Sequence, residues 1–252
     1  MAQNMYDDPA FLARFWDLKK SLGHKPGGVP DMHTLASLLP PITNTRILDL
    51  GCGEGWFGRW ALARGASSVH GVDRSQALVS RAQEEIVDDG RATFSVADLN
   101  YPADTLGTGG EYDLVFSSLA IHYMTDLPAL FREVHKVLKP GGSFFFSVEH
   151  PMRTAPHKSE LMTDASGEKY WPVAKYMEEG ERVTNWLAEG VIKQHRTLGT
   201  YISEVLNAGL EIVSFREWAH RDSTGHFRNE KWFIPENVMP AFMMIGARRK
   251  DD

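Results

Sequence analysis

Three glycines alternate with other residues at Gly51, Gly53 and Gly55, just after the acidic Asp49. A turn built this way lets a ligand lie against bare backbone, because a Cβ at those positions would block the approach. The dinucleotide fingerprint would need its third glycine at position 56, where Trp56 stands, and this disfavours a dehydrogenase. Asp73 lies 22 residues after Gly51 at the end of a predicted strand. An acid there can accept both hydroxyls of a ribose, or more plainly cap the helix that Ser75 leads. Candidates for proton transfer are His122, His150 and His195, with Glu149 as a carboxylate alternative. Each histidine also reads as a hydrogen-bonded structural group. Arg196 and Arg153 carry the planar fork that grips an anion at two points, or that forms an ion pair steadying the fold. Cys52 is the single cysteine and sits inside the glycine turn, where bound ligand would crowd it, so it is not read as a nucleophile. No histidine and carboxylate set has the spacing of a metal site.

These groups need strands and helices that bring them together. Ile47–Leu50 is a short apolar run suited to a buried parallel strand, and helical sequence resumes at Trp56. Ser68–Asp73, Ala92–Val96, Tyr112–Ser117 and Ser143–Val148 read as four further strands, with helices over 75–87 and Leu127–Leu138 between them. The run Lys139-Pro-Gly-Gly142 should stop the second of these helices sharply. Before the first strand, residues 1–22 read as a helical approach starting at Asp8-Pro9, with Phe11, Phe15 and Leu18 on one side. A turn-rich linker over Gly23–Pro30 and a helix over Asp31–Leu39 follow. Residues 152–196 are too long and too aromatic for a plain connection and read as a cap, with a small hairpin around Glu189-Gly190. Thr197–Ala208 is predicted helical, Leu210–Trp218 and Met239–Ala247 are predicted strands, and 219–237 is mostly loop. The alternation of strand and helix gives a doubly wound, mainly parallel α/β sheet.

Composition narrows the function. A net charge of −6 with no basic block argues against binding along a nucleic-acid backbone. No apolar run approaches a membrane span and no signal-peptide pattern opens the chain, so a cytoplasmic protein without membrane attachment is expected.

Four features in order, Asp49-x-Gly51-x-Gly53-x-Gly55, Asp73, Asp98-Leu99 and Leu138-Lys-Pro-Gly-Gly142, resemble the class I (Rossmann-like) S-adenosylmethionine-dependent methyltransferases. Ser147-Val-Glu-His-Pro151 and the stretch Lys193–Tyr201 resemble a small-molecule methyltransferase subgroup of that family. The resemblance implies a seven-stranded sheet whose last strand runs antiparallel between its neighbours, with the cap inserted after the fifth strand. It implies one domain over 1–252, divided into an N-terminal lid (1–45), a cofactor-binding core (46–150), the cap (151–196) and the rest of the sheet (197–252). It implies S-adenosylmethionine as cofactor and S-adenosylhomocysteine as product. The expected cofactor-binding set is Asp49, Gly51, Cys52, Gly53, Asp73, Arg74, Asp98, Leu99, Ser117 and Tyr6. Within it the resemblance assigns Asp98 to the adenine amino group and Leu99 to the ring. Tyr6, Trp16 and Arg14 are lid candidates, or parts of a surface helix packed on the sheet.

Methyl transfer from a sulfonium is an in-line displacement, so the enzyme mostly aligns the acceptor and excludes water. A hydroxyl or amine acceptor can need a base, whereas a carboxylate needs mainly positioning. The expected substrate is a small molecule methylated on oxygen, a carboxylate or acidic hydroxyl held by His150, His195 and Arg196 converging on the cleft, with His122 and Glu149 as further catalytic candidates. Tyr123, Trp171, Tyr176 and Trp186 are candidate walls for an aromatic substrate, or packing. The alternatives are N-methylation of a small amine and a catalytically silent cofactor-binding regulator.

Overall fold

Residues alternate in direction along the first strand, β1 (Arg46–Leu50), and that alternation sets up two cores. Ile47 faces one cluster with Leu35, Phe57, Phe116 and Phe145, while Leu48 and Leu50 face the other with Phe131, Phe144, Phe146 and Val205. The computed structural model describes residues 3–21, 32–86, 89–107, 109–157, 161–219 and 238–251. The linker expected over 23–30, Val87 at the end of the helix expected over 75–87, and nearly all of the loop expected over 219–237 lie outside those residues.

The N-terminal segment makes a short 3-10 turn (Met5–Asp7), then α1 (Pro9–Ser21) and α2 (Met32–Leu38). After β1 come α3 (Trp56–Leu62), β2 (Ser68–Asp73), α4 (Gln76–Glu85), β3 (Ala92–Val96) and β4 (Tyr112–Ser118). Ser75 caps α4, its Oγ accepting from the Leu78 amide. Next are α5 (Leu127–Val137), β5 (Leu138–Glu149) and the single turn α6 (Pro151–Thr154). Asp126 caps α5, whose Leu127, Leu130, Phe131 and Val134 form the buried stripe expected from their spacing. The cap region holds two hairpins, a minimal one of β6 (Met162–Thr163) with β7 (Lys169–Tyr170), and a long one of β8 (Gly180–Trp186) with β9 (Ala188–His195). The chain closes with α7 (Leu198–Asn207), β10 (Leu210–Trp218) and β11 (Phe242–Arg249).

The main sheet has seven strands in the order β10-β11-β5-β4-β1-β2-β3. β11 pairs antiparallel with both neighbours and the remaining pairs are parallel. The expected doubly wound sheet is therefore present, with helices on both faces and the last strand inserted antiparallel. Three local expectations are corrected. β5 begins at Leu138 rather than Ser143, because Leu138 pairs with Tyr112 and a bulge absorbs the Pro-Gly-Gly run before Ser143 pairs with Leu114. The long hairpin turns at Leu187, whose φ of +58° is left-handed, two residues before Glu189-Gly190. The last strand runs over Phe242–Arg249, not Met239–Ala247. Among the described residues no helix is long and apolar enough to cross a membrane.

α1 packs on the cap rather than on the sheet. Phe11 is buried against Leu187 and Val191 of the hairpin, with Phe15, Leu18 and Trp186 around them. Arg14 donates to the Leu187 carbonyl, and Lys19 forms an ion pair with Glu54 in the glycine turn. Asp7 accepts from the Ser75 hydroxyl and the Ala77 amide at the start of α4. The N-terminal segment thus bridges the cap, the glycine turn and α4.

Candidate active site

The glycine turn leaves β1 with Gly51, Gly53 and Gly55 all at left-handed φ. Gly51 and Cys52 both donate to the Val72 carbonyl, which fixes the turn to the end of β2. A Cβ on Gly51 would stand 2.2 Å from Ala120 Cβ, so the two loops touch there. A Cβ on Gly53 would meet nothing within 4 Å, because that residue faces a cavity. Asp73 braces the same turn: its Oδ2 accepts from the Gly53 amide at 2.8 Å and its Oδ1 from the Ser75 amide at 2.9 Å. Burial pushes its carboxyl up, against those backbone donors. Asp49 is buried behind the turn, and its Oδ2 has no hydrogen-bond partner. Burial, with the Asp73 charge added, holds the Asp49 carboxyl well above the usual carboxylate range.

The cavity has a volume of about 390 Å³. Its floor is made by strand ends: Gly51–Glu54 and Trp56 after β1, Asp73 and Arg74 after β2, Ala97–Asn100 after β3, and Ser118–Ala120 after β4. This is the crevice at the carboxyl ends of the strands where open α/β sheets bind ligands. Its roof is Gln3–Tyr6, Phe15, Leu18 and Lys19 from the N-terminal segment, and Glu181, Trp186, Val191, Ile192 and Gln194 from the hairpin. Leu119, at the turn out of β4, holds a left-handed φ of +55°. Asp98 Oδ2 lies 3.4 Å from Arg74 Nε, and Arg74 donates onward to the Gln3 carbonyl. Tyr6 and Tyr123 meet edge to face, their ring centroids 6.4 Å apart and their hydroxyls hydrogen-bonded. Burial pushes both phenols above their ordinary range, so both stay protonated at neutral pH.

The expected cofactor residues Gly51, Cys52, Gly53, Asp73, Arg74, Asp98, Leu99 and Tyr6 all line this cavity. Ser117 does not: its hydroxyl is spent on the Leu50 carbonyl at 2.7 Å, and the strand's alternation turns Ser118 to the cavity instead. Asp49 is behind the lining rather than in it.

The convergence expected of His150, His195 and Arg196 is not found, and none of them lines the cavity. His150 is buried at the end of β5, with Nε2 2.7 Å from Glu217 on β10 and Nδ1 accepting from the Met152 amide to cap α6. His195 is buried between the Thr154 hydroxyl and the Tyr176 carbonyl. Arg196 donates to the carbonyls of Met124 and Thr125. His122 is also off the lining, and burial drives its pKa down to about 3, leaving a neutral imidazole. Glu149 forms a buried ion pair with Lys193 at 2.8 Å, with Arg153 3.7 Å away on the other side. Of the proposed aromatic walls, Tyr123 and Trp186 line the cavity. Trp171 donates instead to the Met152 carbonyl, and the Tyr176 hydroxyl accepts from the Leu198 amide. Sequence reasoning missed Asn100, Gln3 and Gln194. Asn100 follows the Asp98-Leu99 pair directly, which is the signal that would have found it; Gln3 and Gln194 carry none.

Residues 47–142 match a family described as methyltransferase domain. A crystal structure of an S-adenosylmethionine-dependent methyltransferase from Mesorhizobium loti is 40% identical, covers 88% of this chain and 99% of that one, and superposes with a TM-score of 0.78. The chain belongs to the S-adenosylmethionine-dependent methyltransferases. An uncharacterised Haemophilus influenzae protein is 30% identical over 242 residues, 93% of this chain and 94% of its own length. The malonyl-[acyl-carrier protein] O-methyltransferase of Erwinia pyrifoliae is 34% identical over 106 residues, 40% of this methyltransferase and 36% of that enzyme. S-Adenosylmethionine is therefore the cofactor, and the site suits it. Gly53 faces open space, and acidic groups outnumber basic ones on the lining, which suits a ligand carrying an ammonium and a sulfonium.

Proposed function

We propose that this methyltransferase methylates an oxygen of a small molecule, a carboxylate or an acidic hydroxyl. The observation that carries this reading is the makeup of the cavity. Among the described residues it is lined by no histidine, its two tyrosine hydroxyls are held protonated, its Asp73, Asp98 and Glu54 carboxylates are engaged by the protein, and the fourth lining carboxylate, Glu181, belongs to a solvent-exposed residue of β8. Such a lining is poorly suited to taking a proton from an amine or an ordinary alcohol, and an acceptor already anionic needs none taken. The hydrogen-bonded pair of Tyr6 and Tyr123 leaves one hydroxyl proton to offer an anionic oxygen. When bound, S-adenosylmethionine supplies a methyl already activated on a sulfonium, and S-adenosylhomocysteine is left. The chain's own contribution is alignment and exclusion of water, by Tyr6, Phe15, Trp186 and Val191 closing over the strand ends. The O-methyltransferase activity in the Erwinia enzyme's name supports the choice of atom.

In the same reading the glycine turn carries the amino-acid end of the cofactor, Asp73 accepts the ribose hydroxyls, Asp98 accepts the adenine amino group and Leu99 packs on the ring. Residues 1–45 act as the lid and 151–196 as the cap of one domain. A small acceptor fits better than nucleic acid, since the lining cations Lys19 and Arg74 are each paired with a carboxylate.

The test is incubation of the enzyme with S-adenosylmethionine and mixed acids, phenols and amines, followed by mass spectrometry. A methyl ester releases methanol in mild alkali, whereas a methyl ether or N-methyl group does not. Methylation confined to amines would overturn the oxygen reading.

A further inference from the structure

Arg196 directly follows β9, where the cap returns to the sheet, and it is buried away from the cavity lining. It donates to the Met124 carbonyl and, at 3.1 Å, to the Thr125 carbonyl. The Thr125 amide and hydroxyl both donate to Asn100 Oδ1, each at 2.9 Å. The Asn100 amide and its side-chain nitrogen both donate to Asp98 Oδ1, each at 3.0 Å. Asp98 Oδ2 is left facing Arg74 at 3.4 Å and the cavity. Every link but the first is doubled, so Asn100 is held at both ends and fixes the plane of the Asp98 carboxylate.

We infer that Arg196 is a positioning residue for the adenine subsite, acting through Thr125 and Asn100 to aim the Asp98 carboxylate. The inference rests on the assignment of Asp98 to the adenine amino group made above. The Arg196 cation at one end and the Asp98 carboxylate at the other make the terminal bonds of this series charge-assisted, and such bonds exceed neutral ones. Without it the Met124–Thr125 segment loses its anchor and Asn100 loses a fixed donor pair. The Asp98 carboxylate is then free to leave its present orientation and close more fully on Arg74, which already lies 3.4 Å from its Oδ2. The cap, whose other strand residues line the acceptor end, is thereby tied to recognition of the cofactor's base. This role is distinct from gripping an anionic substrate, and it explains why a buried arginine sits where no substrate can reach it.

The experiment is calorimetric binding of S-adenosylhomocysteine and of its analogue with hydrogen in place of the adenine 6-amino group. The wild-type protein should prefer S-adenosylhomocysteine by about tenfold. Arg196→Met should bind S-adenosylhomocysteine about tenfold more weakly and the analogue within about twofold of wild type. Asn100→Ala, which cuts the chain in the middle and leaves the buried cation in place, should show the same signature. The double variant should be no worse than Asn100→Ala alone, and Arg196→Lys should recover part of the preference. Equal loss of both ligands in the Asn100 and Arg196 variants would make the residues merely structural and overturn the inference. A wild-type preference that survives both substitutions would overturn it too, leaving the Asp98 assignment intact. A wild-type protein without the preference would remove that assignment and the inference together.

Discussion

Substituting Lys193 by Met should unmask how much of the cap's seating depends on one buried charge pair. Lys193 on β9 is buried and Glu149 at the end of β5 is nearly so; they lie 2.8 Å apart, with the Lys193 ammonium 5.1 Å from the centre of the Trp186 ring. Burial alone would raise the Glu149 carboxyl. Lys193 first and Arg153 second overcome it and bring the group from 4.5 down to about 2. The displacement favours the ionised carboxylate at neutral pH, while burial pushes the Lys193 ammonium down, so the net worth of the pair is smaller than the Glu149 displacement alone. Removing Lys193 leaves a buried carboxylate with Arg153 at 3.7 Å as its remaining cation, and should cost about 3 to 5 kcal/mol. A folded-state value below the unfolded one means the contribution is present above pH 4.5 and is lost as pH falls toward 2. The gap between wild type and variant should therefore be widest at neutral pH and close on acidification. Urea denaturation of wild type, Lys193→Met, Glu149→Gln and the double variant measures it. The double variant should regain most of the loss, because the stranded charge is gone. A Lys193→Met cost below about 1 kcal/mol, or strictly additive losses, would refute this account of the pair.

Four further outcomes follow from the site. Gly53→Ala should cost about 1 to 2 kcal/mol for an L residue at φ +55° while meeting no protein atom, and should weaken S-adenosylmethionine binding in calorimetry beyond that cost, since its Cβ enters the cavity. Tyr123→Phe should lower kcat by about tenfold with little change in melting temperature, as steady-state kinetics beside a thermal melt would record. His122 is held neutral by burial with a pKa of about 3, so its contribution is lost as pH falls below 6.5 toward 3; a His122→Phe variant should show a flatter melting temperature across that range. Dialysis against a chelator should leave the methylation rate unchanged, since no group of His, Cys, Asp or Glu among the described residues is arranged to hold a metal ion.

The cofactor half of this methyltransferase was legible in the sequence because its signals are local. A strand announces itself by its own apolar residues, and the glycine turn, Asp73 and Asp98 each follow one directly. The rule that strand ends face the crevice locates these residues, but it does not say which way a side chain points. Ser117 and Ser118 are neighbours, yet one is bonded into the sheet and the other opens on the cavity. His150 fails for a less local reason. The strand beside β5 is β11, inserted from the far end of the chain, and β10 beyond it brings Glu217 to the imidazole. No pattern around residue 150 encodes that neighbour.

The two conspicuous late motifs, 147–151 and 193–201, do meet, but they meet each other. Glu149 pairs with Lys193, and Thr154 just beyond the first motif holds His195 of the second, so that together they seat the cap on the sheet. Their histidines and arginine look like acid–base equipment in sequence because the residues that build a buried polar seam are the same ones that build an active site. Burial separates the two uses: a group enclosed on all sides by the protein is out of a substrate's reach. By that criterion the aromatic wall of the cavity is made instead by Tyr6, Phe15, Tyr123 and Trp186, drawn from three distant parts of the chain. That wall exists because α1 folds back on the hairpin through Phe11, a packing contact 176 residues distant at Leu187. The cavity wall thus depends on the N-terminal segment and the hairpin packing together, which periodicity in either segment alone does not reveal.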